Sequence, residues 1–151
     1  MLAIRRYEES DSREVLDIHN LALSDTGAHL GNGPWDDDLK HIQEIYINAG
    51  GFFVGTLDLA IVAMGALKKI DKTTAETKRM RILPEFQRRG FGTAMLIALE
   101  QRSMDLGYGM VQLDTSLSKA AARRLYEKNG HSETGRGMIR NLEIVYHSKR
   151  L

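Results

Sequence analysis

Cysteine is absent from the 151-residue sequence, and proline occurs only at positions 34 and 84. The missing thiols exclude disulfides, thiolate nucleophiles and cysteine-ligated metals, and they are typical of a reducing compartment. We therefore expect a cytoplasmic protein. Because no linker rich in Pro or Ser divides the chain, we also expect one domain over residues 1–151.

Neither sign of charge is in excess, because 21 Lys and Arg stand against 20 Asp and Glu. No global positive field therefore draws the chain onto nucleic acid or a lipid surface. Long apolar runs are also lacking, since the longest, residues 59–67, is about half of what a membrane-spanning helix needs. We expect no nucleic-acid or membrane partner, and any anion site must be local.

Apolar periodicity predicts strands and helices in an α+β order. The predicted strands cover residues 2–7, 52–56, 59–70, 75–83, 110–114, 132–138 and 142–147, and the predicted helices begin after residues 11, 38, 90 and 118. Short turns indicate an antiparallel meander in the middle and a closing hairpin at the end. The helix after residue 90 is a crossover, which predicts one parallel strand pair. The fold class is therefore a mixed, mostly antiparallel sheet flanked by about four helices.

Two polar residues are predicted to cap the first and the last of these helices. Asp11 followed by Glu14 has the spacing of a capping box for the first helix. Ser118 precedes the last helix and is expected to be its N-cap.

A glycine-containing segment, Gln87–Thr93, lies between a predicted strand and a predicted helix. The first amides of a helix are unpaired and carry the positive end of its dipole, and glycines let a ligand approach the main chain. A Walker loop is excluded because no lysine stands before Thr93, and a dinucleotide fingerprint is excluded because position 95 is Met. The segment predicts a phosphate or diphosphate site, or else a tight turn with solvated arginines.

Two signatures together resemble the GNAT superfamily of N-acetyltransferases. Residues 87–92 match its pyrophosphate signature, Gln or Arg, two residues, Gly, one residue, then Gly or Ala, and residues 79–84 look like its coenzyme-binding strand. Residues 122–130 resemble its second signature, a helix with Ala, Leu-Tyr and a terminal Gly. The resemblance covers essentially the whole chain. It implies a GNAT-like fold with acetyl-CoA as cosubstrate. The spacing of His19, His29 and His41 suggests no metal site, so we expect no metal.

The resemblance also implies where the coenzyme binds. The strand amides of Ile82 and Leu83 are expected to hydrogen-bond the pantetheine and acetyl carbonyls. Lys119 stands where family members often carry an Asn that contacts pantetheine, and we place it in the coenzyme site. The residues expected around the diphosphate are Gln87, Arg88, Arg89, Gly90, Phe91, Gly92 and Thr93.

Acyl transfer to an amine requires a base and an acid. A lysine-like amine has a pKa of about 10.4 and is mostly protonated at neutral pH, so a base must take its proton. Glu76 is the candidate base if strand alternation points it into the cleft, and it is a solvated strand residue otherwise. Tyr126 is the candidate acid for the leaving thiol, and the resemblance places a tyrosine near the sulfur.

The acceptor remains open at this stage. Trp35 and the carboxylates of Asp36, Asp37 and Asp38 fit an acceptor site for a cationic amine, or equally a core aromatic followed by a helix N-terminus. We expect acetyl transfer from acetyl-CoA to a primary amine by direct attack in a ternary complex. The alternative is a non-catalytic coenzyme A binding or sensing module. Family members often form dimers, and an exposed edge strand of the closing hairpin would allow a homodimer.

Overall fold

The computed structural model describes residues 1–26 and 38–151, and their centre is a seven-stranded mixed sheet of order β1-β2-β3-β4-β5-β7-β6. The strands are β1 Ala3–Arg6, β2 Gly51–Leu57, β3 Ala60–Lys69, β4 Thr74–Ile82, β5 Met110–Ser116, β6 Ser132–Ile139 and β7 Leu142–Arg150. The helices are α1 Ser12–Thr26, α2 Phe91–Asp105 and α3 Ala120–Lys128, with a π-helical segment at Gln43–Ile47. The predicted α+β class is confirmed.

The strand pairing follows the predicted order. The strands β2, β3 and β4 form the antiparallel meander, and β4 and β5 form the parallel pair. The closing hairpin inserts β7 beside β5, which leaves β6 as an edge of the sheet. Met138 and Ile139 are exposed on that edge strand, and the homodimer stays a prediction.

Two layers cover the two faces of the sheet. On one face α1 and the π-helical segment bury a cluster that includes Val15, Tyr46 and Phe52. On the other face α2 buries Met95 and Leu99 against the sheet. Helical spacing predicted that Leu39, Ile42 and Tyr46 share one face. All three are buried, which confirms that prediction. No helix among the described residues is both long enough and apolar enough to span a bilayer.

Both predicted caps are wrong. The Asp11 carboxylate accepts hydrogen bonds from Arg5, at 2.8 and 2.9 Å, and from the Glu8 amide, so it closes the short 3-10 turn that precedes α1. The N-cap of α3 is Lys119, without a side-chain cap, while the Ser118 hydroxyl lies 2.6 Å from that of Ser116. Each of these two side chains therefore hydrogen-bonds a neighbouring residue and not the first amides of its helix.

A β-bulge interrupts β4 halfway along its pairing with β3. Ala66 pairs with Lys78 and Met64 pairs with Arg81, so two residues of β4 face the single residue Gly65. The bulge changes which positions face α2. Ala75 packs in the α2 cluster before the bulge, whereas the even-numbered Met80 and Ile82 pack against it afterwards.

The parallel pair is short, and this opens a cleft in the sheet. Only three residue pairs join β4 to β5, the last being Glu76 with Gln112. Beyond that point β4 stays paired with β3 and β5 stays paired with β7. The facing edges of β4 and β5 therefore separate, and their main-chain groups line the cleft.

The predicted segment around Trp35, Asp36 and Asp37 lies outside the described residues.

Candidate functional site

The turn at one end of the cleft presents main-chain amides. The first hydrogen bond within α2 runs from the Ala94 amide to the Gly90 carbonyl at 3.1 Å, so the three amides before Ala94 have no helical acceptor. Gly90 is the N-cap and supplies no side chain, and its φ of 82° belongs to the left-handed region that favours glycine. The amides of residues 88–93 donate to no other described residue. This turn is therefore an open anion site.

Side chains fix the turn against the end of β4. The side-chain nitrogen Nε2 of Gln87 donates a hydrogen bond to the main-chain carbonyl of Ile82 at 3.1 Å. The Arg89 guanidinium lies 5.2 Å from the centre of the Phe86 ring, a cation-π contact. Arg88 is exposed and has a φ of 63°. The predicted diphosphate residues are thus brought together at one surface beside two arginines.

The amide that β4 offers to the cleft is that of Ile82. The Leu83 amide donates to the Val62 carbonyl of β3 at 2.9 Å, so the prediction that Leu83 supplies an open donor is wrong. Hydrogen-bonded and non-hydrogen-bonded pairs alternate in an antiparallel ladder. The adjacent pair, Ile82 with Ala63, is therefore non-hydrogen-bonded, and the Ile82 amide points away from β3 into the cleft.

The same alternation applies to β5 on the other wall. The Leu117 amide donates to the Glu143 carbonyl at 2.8 Å, which makes that pair hydrogen-bonded. By alternation, the amides of Asp114 and Ser116 point away from β7 toward the cleft. Both walls therefore contribute open donors.

Tyr126 lies behind the cleft on the α2 side of the sheet. It is 6% exposed and packs with Leu96 and Leu113. The rings of His131 and His147 flank it at 5.9 and 6.1 Å between centroids. Burial raises the pKa of Tyr126 to about 12, with a smaller opposing effect of Arg81. The phenol therefore stays protonated at neutral pH and can donate.

Glu76 lies on the opposite face of the sheet, as strand alternation allows. Its Oε1 is 3.4 Å from the Lys78 ammonium, and its Oε2 accepts a hydrogen bond from Gln112 at 3.4 Å. Both oxygens of the predicted base are thus engaged at the point where β4 and β5 part.

Asp114 is a second carboxylate on that face, and sequence reasoning missed it. Its neighbours Val111 and Leu113 are buried toward the helices, so Gln112 and Asp114 face the other way. No ion pair or hydrogen bond joins its side chain to the rest of the described chain. It is open to solvent on one side, but the surrounding cleft walls desolvate the carboxyl and raise its pKa. The alternation of buried residues in β5 was the signal that could have found it.

Lys119 is the N-cap of α3, the helix that also carries Tyr126. Desolvation, followed by the charges of Arg81 and Arg79, lowers the pKa of Lys119 to about 7. Lys119 therefore loses its proton more readily than an exposed lysine does. Within residues 1–26 and 38–151 no group of His, Asp and Glu side chains could hold a metal ion.

The fold and this site define a class of proteins. In this class a parallel strand pair separates to form a cleft, and a helix N-terminus with open amides lies at one end of that cleft. The family described as the acetyltransferase (GNAT) family matches residues 14–131, and the chain belongs to it.

Similar proteins agree with this membership. N-acetyltransferase 8 of Homo sapiens is 25% identical over 142 residues, which cover 78% of this chain and 63% of the human protein. The chain thus spans less than two thirds of that relative. A GNAT-family acetyltransferase from Staphylococcus aureus Mu50 has a TM-score of 0.91 at 18% identity, covering 100% of this chain and 99% of its own.

A further structural neighbour, yncA from Salmonella typhimurium, was solved with its cofactor acetyl-CoA. Its TM-score is 0.82 at 17% identity, and the match covers 100% of this chain and 94% of the neighbour. At such identities the likeness of both structures shows the fold.

The two ends of α2 offer a matched test of the turn. Gly90 and Gly107 both have positive φ, and a Cβ at either position would meet nothing within 4 Å. Changing each to Ala should cost the same stability, about 1–2 kcal/mol of left-handed strain. Only Gly90→Ala places a methyl beside the open amides, so it should weaken coenzyme A binding about tenfold or more by titration calorimetry. Equal affinity in the two variants would contradict the site.

Proposed function

We propose that the chain is an acetyl-CoA-dependent N-acetyltransferase that acts on a primary amine by direct attack in a ternary complex. The acceptor class is a small amine, an amino-acid derivative or a protein amino group. The carrying observation is the split between β4 and β5, which leads from the open amides of the turn to the Ile82 amide and Tyr126. The acetyl-CoA bound in the yncA neighbour supports this assignment.

The cosubstrate would lie along the cleft with its diphosphate on the turn. The amides of residues 88–93, with Arg88 and Arg89, neutralise the diphosphate, while Gln87 braces the turn against β4. The Ile82 amide hydrogen-bonds the pantetheine or the acetyl carbonyl. Lys119 contributes to the pantetheine wall as a partly neutral amine, and it needs no carboxylate partner there.

The proton steps divide between the two faces of the sheet. The acceptor ammonium loses a proton to a carboxylate, and its nitrogen then forms a bond to the thioester carbonyl carbon. As the carbon-sulfur bond breaks, the nitrogen loses its second proton to solvent, and the departing thiolate accepts a hydrogen bond and then a proton from Tyr126. Since the pKa of Tyr126 lies well above that of a thiol, near 8.5, the hydrogen bond does most of the stabilising, and solvent restores the phenol.

We assign the proton-accepting role to Asp114 rather than to Glu76, the residue predicted from sequence. Both oxygens of Glu76 already contact Lys78 or Gln112, so the approach of an ammonium would have to displace one of them. Asp114 has no such partner and is open to solvent. Its raised pKa also moves it toward the value that suits a base.

Two measurements test the proposed function itself. Acetyl-CoA at about 100-fold over its dissociation constant should stabilise the protein by about 2.7 kcal/mol in thermal unfolding, and ATP should not. When a panel of amines is then tested with acetyl-CoA, at least one amine should cause release of free thiol. Stabilisation without thiol release from any amine would favour the non-catalytic coenzyme A module, and no stabilisation would contradict both.

Replacing Tyr126 by Phe tests the acid. Turnover with the best amine should fall by about 10² to 10⁴, because the leaving sulfur loses its donor, while coenzyme A affinity stays within about twofold. Tyr108→Phe is the matched control, since its hydroxyl bonds the Ala49 carbonyl at 2.7 Å far from the cleft. Undiminished turnover in Tyr126→Phe would remove the residue from the mechanism.

The pH dependence of kcat/KM for the acceptor tests the base. A protonated carboxyl cannot accept a proton, so the rate should fall as the pH drops through the pKa of Asp114, which is raised above the usual value of about 3.9. Asp114→Asn should abolish this acid limb and slow turnover by about 10² or more, whereas Glu76→Gln should keep the limb. The reverse pattern would return the role to Glu76.

A further inference from the structure

A buried ion pair joins Asp38, which precedes the π-helical segment, to the bulge in β4. The Arg79 guanidinium donates to both carboxylate oxygens of Asp38, with Nε to Oδ2 at 2.9 Å and a terminal nitrogen to Oδ1 at 2.6 Å. The Tyr46 hydroxyl also donates to Asp38. The side chains of Arg79 and Asp38 are only 14% and 16% exposed. We call these three residues the bulge clamp.

Arg79 is also the strained residue of the bulge. Its φ is 55°, in the left-handed region that residues with a Cβ rarely occupy. Such a conformation persists only where surrounding contacts hold it. The two hydrogen bonds to Asp38 are contacts of this kind at the Arg79 side chain.

The bulge decides which amide β4 presents to the cleft. Removing the extra residue would shift the pairing of β4 with β3 by one position. The alternation would then turn the Ile82 amide toward β3 and expose that of Leu83 instead. The side chains of Met80 and Ile82 would leave the α2 cluster in the same shift.

We infer that the ion pair between Asp38 and Arg79 is a positioning device that holds the β4 bulge and thereby keeps the Ile82 amide directed at the cosubstrate. This inference rests on the proposed binding of coenzyme A. It also removes Asp38 from the acidic residues that would attract the acceptor amine, because both its oxygens are occupied.

The pair remains charged at neutral pH. Burial alone would raise the pKa of Asp38, but the hydrogen bonds and charge of Arg79 hold it below the usual range. The same partner keeps the pKa of Arg79 above its ordinary value despite burial. The clamp therefore persists throughout the range in which the enzyme would work.

Two substitutions of Arg79 separate the effect of its backbone conformation from the effect of its ion pair. Arg79→Ala removes the ion pair and leaves a residue that resists positive φ, so the bulge should relax. Arg79→Gly removes the same ion pair but adopts positive φ freely. We expect coenzyme A affinity by calorimetry to fall about tenfold or more in the Ala variant and about threefold or less in the Gly variant. Asp38→Asn, which keeps Arg79 but loses the charge, should resemble the Ala variant.

A matched control comes from the pair Arg5 and Asp11, which is also bidentate but lies at β1, away from the cleft. Arg5→Ala should lower thermal stability and leave coenzyme A affinity unchanged. A direct readout is the amide signal of Ile82 in an NMR spectrum of the 15N-labelled protein. It should shift on adding coenzyme A to the wild type and to Arg79→Gly, and it should not shift in Arg79→Ala.

The outcomes separate the clamp from the proposed function. A wild-type protein that does not bind coenzyme A would overturn the proposed function and the clamp with it. Normal wild-type binding with equal affinities in the Ala and Gly variants, or an unchanged Asp38→Asn, would overturn the clamp alone. If Arg79→Ala does not fold, Asp38→Asn and Arg79→Gly still decide the question by the same comparison.

Discussion

The divergence of β4 and β5 is the constraint on which the site depends. Each strand keeps its antiparallel neighbour, β3 or β7, and the two cannot remain paired with each other. Amides on the facing edges are left without a protein acceptor, and unpaired main-chain groups that lose water are costly. A ligand that carries carbonyls along its length would satisfy them, and this supports the proposal that a pantetheine arm binds in this cleft.

Two carboxylates that the structure describes beside that cleft are already engaged by basic residues. Asp38 is bound by Arg79, and Glu76 is bound by Lys78. Among the residues that the structure describes, the carboxylate of Asp114 has no such partner on the sheet face of Glu76, while the phenol of Tyr126 lies on the opposite face of the sheet. A reacting centre between them would meet a base on one side and a donor on the other.

Local features of the site were predictable from sequence, and features that depend on register were not. The turn at residues 87–93 and the helix of Tyr126 are contiguous motifs, so their residue types carry the information. Of the two predicted donors, only Ile82 directs its amide to the cleft, and this depends on a bulge at Arg79, which no local propensity indicates. The engagement of Glu76 depends on Gln112 of another strand, and so the base could not be chosen from strand alternation alone.

The central claim is tested most directly by a crystal structure of the chain with acetyl-CoA. The account predicts diphosphate oxygens within hydrogen-bonding distance of the amides at residues 90–93, the Ile82 amide on a carbonyl of the pantetheine or acetyl group, and the sulfur facing Tyr126. A cosubstrate bound elsewhere, or one that leaves the cleft between β4 and β5 empty, would contradict it.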